Sequence, residues 1–294
     1  MLLVTLPRDG RKKMSEHAVT LLSRRYPQLL LPISDETRHS DLYRSAVLRG
    51  EDISGAPDFS FSPLDSLETA ETPAGSVDIV TFHNRDDFEH CVRALAYRCE
   101  MRPIPPSMGA STVSGLINWE KIRAHKRGYI ASGGSDWDGE FASFTADSRN
   151  FRDAVIILSH GYYSALSPES ACFGAEQWLS LSHEIRKYHE LAHFVSRRLF
   201  PDNRDAVRDE VLADMNGIIA ALGRYDAALA AKLLGVQGDR YVSGGRLENY
   251  VPAQELDGAV KRVSAMLDML GRDCSVPSEP FELLMRIEEE KLFL

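Results

Sequence analysis

The sequence is poor in the features that mark several functional classes. Its 294 residues include four cysteines, Cys91, Cys99, Cys172 and Cys274, none at C-x-x-C spacing. That scatter argues against a disulfide framework and against a cysteine zinc site. Each cysteine reads instead as a small buried hydrophobe. No apolar run approaches the roughly 18 to 20 residues that a membrane span needs, so no membrane partner is expected. Basic residues are outnumbered, 34 Lys and Arg against 43 Asp and Glu, for a formal charge of −9. A nucleic-acid partner, which would call for a basic footprint, is therefore not expected. The one basic cluster, Arg8 to Lys13, is short and reads as a solvated tail. In the opening stretch "MLLVTLPRDGRKK" the apolar part precedes the basic part, the reverse of a secretory signal, so the cytoplasm is the expected compartment.

What is present fits a globular chain: 44% hydrophobic and 26% charged residues, enough for a substantial core. Residues 15 to 49 read as two helices, and 1–50 as a helical N-terminal appendage. Residues 51–76, rich in Ser, Pro, Gly and acids, read as a linker, and 77–294 as the main domain. In that domain "VDIVTF" (77 to 82) has strand character and the next segment helical spacing, with Asn84 as N-cap. A proline-rich loop should run into a helix from about Ser114, followed by strands at "GYIAS", "EFASFTA" and "DAVIILSHGYY". From Ser167 onward nearly everything reads as helix. Strands followed by helices predict an α+β protein, with a small sheet ahead of a helical C-terminal part.

Two of those helices carry candidate chemistry. Between Ser167–Pro168 and Pro201, the residues Trp178, Leu181, Ile185, Tyr188, Ala192, Val195 and Leu199 recur at steps of three and four, an apolar helix face. His189 and His193 emerge at its edge, one turn apart. Residues four apart on a helix have Cβ atoms about 5 to 6 Å from each other, so two imidazoles can share one metal ion. Glu190 stands beside them as a candidate general base. A catalytic zinc takes three protein ligands. The following helix, about Asp202 to Leu222, offers Glu210 as the third, with Asp214 placed to accept from a histidine's far nitrogen. Ala206, Ala213, Gly217 and Ala221 share the Glu210–Asp214 face and would let the two helices approach closely. Arg186, one turn before His189, is a cation that opposes a metal there unless it pairs with Asp214 or a substrate carboxylate.

The pair "HELAH" and "EVLAD" resembles the gluzincin branch of the zinc metallopeptidases, in which H-E-x-x-H is followed on a later helix by E-x-x-A-D. The resemblance spans roughly residues 178 to 222. It implies Zn2+ on His189, His193 and Glu210, water activation by Glu190, orientation of a histidine by Asp214, and a zincin-like fold. It also implies a sheet edge that binds an extended peptide or protein substrate, for which "EFASFTA" and "DAVIILSH" are the candidates. The family further requires an oxyanion donor, and no motif identifies it. Tyr163 and Tyr241 are the catalytic candidates, with Tyr162, Arg246 and Tyr250 also in view. The expected activity is that of a metallopeptidase. The alternatives are a zinc hydrolase of a small-molecule amide and a zinc-binding regulatory or interaction protein without turnover.

Overall fold

The computed structural model describes residues 17–55, 58–273 and 279–293. The terminal basic cluster and Cys274 lie outside them. Among the described residues no helix is long and apolar enough to cross a membrane.

The chain opens with α1 (Ala18–Arg25), capped by the His17 side chain, and reaches α2 (Asp41–Tyr43), which continues as a π-helical turn through Leu48. A hairpin follows, β1 (Ser66–Thr72) antiparallel to β2 (Gly75–Phe82). Helix α3 (Arg85–Leu95) begins at the expected Asn84 cap, which accepts from the Asp86 N–H. Then come β3 (Ala110–Ile117), α4 (Trp119–Ala131), α5 (Trp137–Thr145) and β4 (Arg152–Ser159). The strands order as β1-β2-β4-β3, with β2 and β4 parallel at the centre and β3 antiparallel on the edge.

The central strands are apolar on both faces, so both must be covered. Alternation splits their side chains: Val77, Ile79, Ile156 and Leu158 enter one core, and Val80, Phe82, Val155 and Ile157 the other. Leu22, Tyr26, Leu29 and Val47 from the N-terminal segment fill that second core together with α3. Residues 17–48 therefore form a layer on the sheet and not an appendage, and the expected linker contributes strand β1. The first core lies under the remaining helices: α6 (Pro168–Ala171), α7 (Ala175–Leu199), α8 (Ala206–Leu222) and α9 (Ala227–Leu234), then the small hairpin of β5 (Val236–Gln237) and β6 (Arg240–Tyr241), then α10 (Leu256–Asp273) and α11 (Glu282–Glu289). The architecture is mixed α and β, with helical layers on both faces of one four-stranded sheet.

Three local expectations need correction. The segments "GYIAS" and "EFASFTA" are helical, lying in α4 and α5; Asn118 and Asp136 cap those helices by accepting from backbone N–H groups of the first turn. Ser114 lies within a strand, and the proline-rich loop leads into β3. Ser167 and Pro168 start only the short α6, which ends at Cys172 in the left-handed conformation (φ 64°). The histidine-bearing helix starts afresh at Ala175 after Gly174. Cys91 and Cys99 are buried as expected, whereas Cys172 is exposed.

The α7–α8 pair packs backbone against backbone. A Cβ built on Gly217 would lie 2.5 Å from the Ile185 carbonyl oxygen, so the backbones touch where the small-residue face predicted it. The buried Asn216 amide donates to the Tyr188 carbonyl at 2.8 Å and pins the same contact. Gly217→Ala gains about 1 kcal/mol of helix propensity. It must also push two backbones apart, an overpacking cost of about 1–3 kcal/mol. A net loss of stability is expected, read as a lowered urea midpoint. A raised midpoint would mean that the two helices separate freely.

Candidate metal centre

Helix α7 buries Trp178, Ile185, Ala192 and Val195 of its apolar stripe, half-buries Leu181 and Tyr188, and leaves Leu199 exposed. His189 and His193 are 5% and 6% exposed, and Glu210, facing them from α8, is 9% exposed. Their ligand-capable atoms converge. His189 Nε2 lies 3.1 Å from His193 Nε2 and 3.4 Å from Glu210 Oε2, and His193 Nε2 lies 3.2 Å from Glu210 Oε1. A tetrahedral ion with bonds of about 2.0–2.1 Å sets its ligand atoms roughly 3.3–3.4 Å apart. The separations approach that spacing, with each Glu210 oxygen facing one of the two histidines. The three residues form a triangle, the only cluster of three or more such groups that meets a metal-ligand separation among the described residues. Glu210 Oε2 is also buried without a hydrogen-bond partner, an unmet need that a cation would satisfy. The residues therefore fit a zinc ion.

Behind the triangle the supports are dense. Asp214 is fully buried, and its Oδ1 lies 2.9 Å from His189 Nδ1. Tyr163 Oη donates to the same carboxylate oxygen at 2.7 Å and lies 2.8 Å from His189 Nδ1. With its proton committed to Asp214, the phenol can only accept from the imidazole. His189 therefore carries its hydrogen on Nδ1 and turns the Nε2 lone pair toward the triangle. Arg246 Nη2 donates to Asp214 Oδ2 at 2.5 Å, and its Nη1 donates to Tyr163 Oη.

The electrostatics follow from this packing. Burial disfavours charge on Glu210, but the neighbouring histidines and Arg246 outweigh it and hold the carboxyl well below its usual range. Burial likewise opposes ionisation of Asp214, and Arg246 and His189 reverse the effect, so its pKa is lowered. His189 is raised: burial works against its charge, and the Asp214 hydrogen bond with the two carboxylate charges prevails. The buried Tyr163 phenol is pushed far up and stays neutral.

Glu190 is not part of the triangle. Its Oε2 accepts from Thr112 Oγ1 at 2.6 Å, which ties it to the edge strand β3. Arg186 does not reach Asp214. It donates to the carbonyls of Ser159, Gly161 and Tyr162, at 2.6, 3.1 and 3.0 Å, and lies over the Tyr163 ring. Burial lowers its pKa to about 10. Of the two tyrosines expected as oxyanion donors, Tyr163 supports His189 from behind. Tyr241 donates to the Gly245 carbonyl in its own loop and makes no hydrogen bond to the triangle. Tyr250 lies against Glu210: burial raises its pKa, and the charge of Glu210 and a hydrogen bond to it add to that rise. Sequence reading missed Thr112, because β3 was hidden in a proline-rich stretch.

Fold and side chains together define a mixed α and β protein with one candidate three-residue metal centre. The chain belongs to a protein family of unknown function (DUF7005), which it matches over residues 10–274. It matches no curated protein and no solved structure.

Proposed function

We propose that this chain is a zinc-dependent hydrolase with a zincin-like active centre, acting on peptide bonds. The observation that carries the reading is the triangle of His189, His193 and Glu210, with edges of 3.1 to 3.4 Å, set beside a carboxylate that it does not include. Zinc bound there would polarise a carbonyl oxygen and lower the pKa of a water. Glu190, held by Thr112, takes a proton from the attacking water. As the new C–O bond forms and the C–N bond breaks, it passes that proton to the leaving amine. Asp214, Tyr163 and Arg246 keep His189 in the required tautomer.

A second reading, hydrolysis of a small amide, is favoured by the near-complete burial of the three ligand side chains. Zinc-loaded protein offered a quenched peptide pool and a set of small N-acyl amides separates the two. Peptide cleavage that stops with chelator and returns with zinc is the expected result. Cleavage of the amides alone would select the second reading, and turnover insensitive to chelator would contradict both.

A further inference from the structure

A cavity of about 970 Å³ lies where the sheet ends, between the start of α4 and the C-terminal end of α7. The metal-ligand residues do not line it. Its wall begins at Thr112, whose hydroxyl holds Glu190, and at Phe194, next to His193. Thr112 and Ser114 face it from β3, as the two-residue pleat dictates.

The charges on this wall are unevenly matched. Arg25 pairs with Asp78 and Glu120, Lys121 with Asp153 at 2.5 Å, and Arg149 with Asp147 at 2.6 Å. No ion pair to an acid is found for Arg152, Arg197 or Arg198 among the described residues. Arg152 donates to the Gly115 carbonyl, and Arg198 lies over the Phe194 ring. In a chain of formal charge −9, three uncompensated guanidiniums around one groove leading from Glu190 are a local reversal of sign. Isolated surface arginines are ordinarily just solvated, but convergence on a concave wall focuses their field.

We infer that this groove binds the acidic part of an extended peptide substrate, so that the enzyme selects sequences with Asp or Glu to one side of the scissile bond. The inference rests on the hydrolase reading for its cleavage site only. Arg197 and Arg198 follow His193 by four and five residues, about 6 to 8 Å along the helix. At about 3.3 Å per extended residue, with side-chain reach added, the acidic positions fall about two to four residues from the bond cut.

The test is fluorescence anisotropy on zinc-loaded wild type and Glu190→Gln, using equal-length peptides that carry a glutamate, glutamine or lysine tract. A single-stranded oligonucleotide serves as the competing polyanion. The expected result is at least about tenfold tighter binding of the glutamate peptide than the lysine peptide, erased by 0.5 M salt. Arg197→Gln/Arg198→Gln, exposed positions that should not disturb folding, should weaken glutamate-peptide binding by about fivefold and leave glutamine-peptide binding unchanged. Equal affinity for the three peptides overturns the inference, and so does an oligonucleotide that binds more tightly than the glutamate peptide. Charge-selective binding by a wild type that cleaves none of the peptides sustains the groove and removes the hydrolase reading alone.

Discussion

Replacing Glu190 by glutamine is expected to leave about one zinc per chain in place while hydrolytic turnover falls by about 10²- to 10⁴-fold. The two halves of that result come from different atoms. Glu190 contributes nothing to the triangle of His189, His193 and Glu210, so the metal should not notice its loss. The glutamine can keep the hydrogen bond that Thr112 Oγ1 now gives to Oε2, so the local packing survives. What it cannot do is accept a proton at neutral pH. Parallel metal analysis and single-turnover cleavage would show both. Turnover within about threefold of wild type would remove Glu190 from the mechanism, and loss of zinc would mean that it is a ligand.

Asp214→Ala should be the most damaging single change to the fold around the site. Asp214 is fully buried and satisfies three groups at once: His189, Tyr163 and the Arg246 guanidinium. Removing one member of a buried ion pair leaves the other charge uncompensated, which typically costs about 3–5 kcal/mol. That exceeds the loss of any single hydrogen bond here, about 1 kcal/mol for a neutral pair. Freed from Asp214, the His189 ring also loses its fixed tautomer, and zinc affinity should fall about 10- to 100-fold. Asp214→Asn keeps an acceptor but not the charge and should lie between. Chemical denaturation and competitive zinc titration check the two effects. A stability change below about 0.5 kcal/mol would show that Arg246 finds another partner or leaves the interior.

The convergence of His189, His193 and Glu210 was legible in sequence because the spacing on each helix is local. Histidines four apart on a helix must share a face, and Glu210 with Asp214 repeats that step on the next helix. Gly217 and its small neighbours announced the close approach that brings the two helices together. The rest of the site lay beyond reach because it is non-local. Tyr163 and Arg246 meet across 83 residues, and no periodicity records that contact. The phenol expected to face substrate is instead spent behind His189.

The errors in the fold have physical reasons too. "GYIAS" and "EFASFTA" carry aromatic and β-prone residues, but Asn118 and Asp136 ahead of them are helix caps, and the cap proved the stronger signal. Strand β3 was obscured by the glycine and small residues of "GASTVSGLI", with a bulge between Ser114 and Leu116. The N-terminal layer was foreshadowed by β2 and β4 themselves, whose runs are apolar on both faces. A sheet of that kind needs a second cover, and residues 17–48 provide it.

The most direct test of the account is the metal content of purified protein after a mild chelator wash, with wild type measured beside Glu210→Ala. About one zinc per wild-type chain and a clear loss in the variant are expected, because Glu210 supplies one corner of the triangle and its buried Oε2 has no hydrogen-bond partner. No metal in either protein would contradict the account, leaving "HELAH" as the polar shoulder of a buried helix.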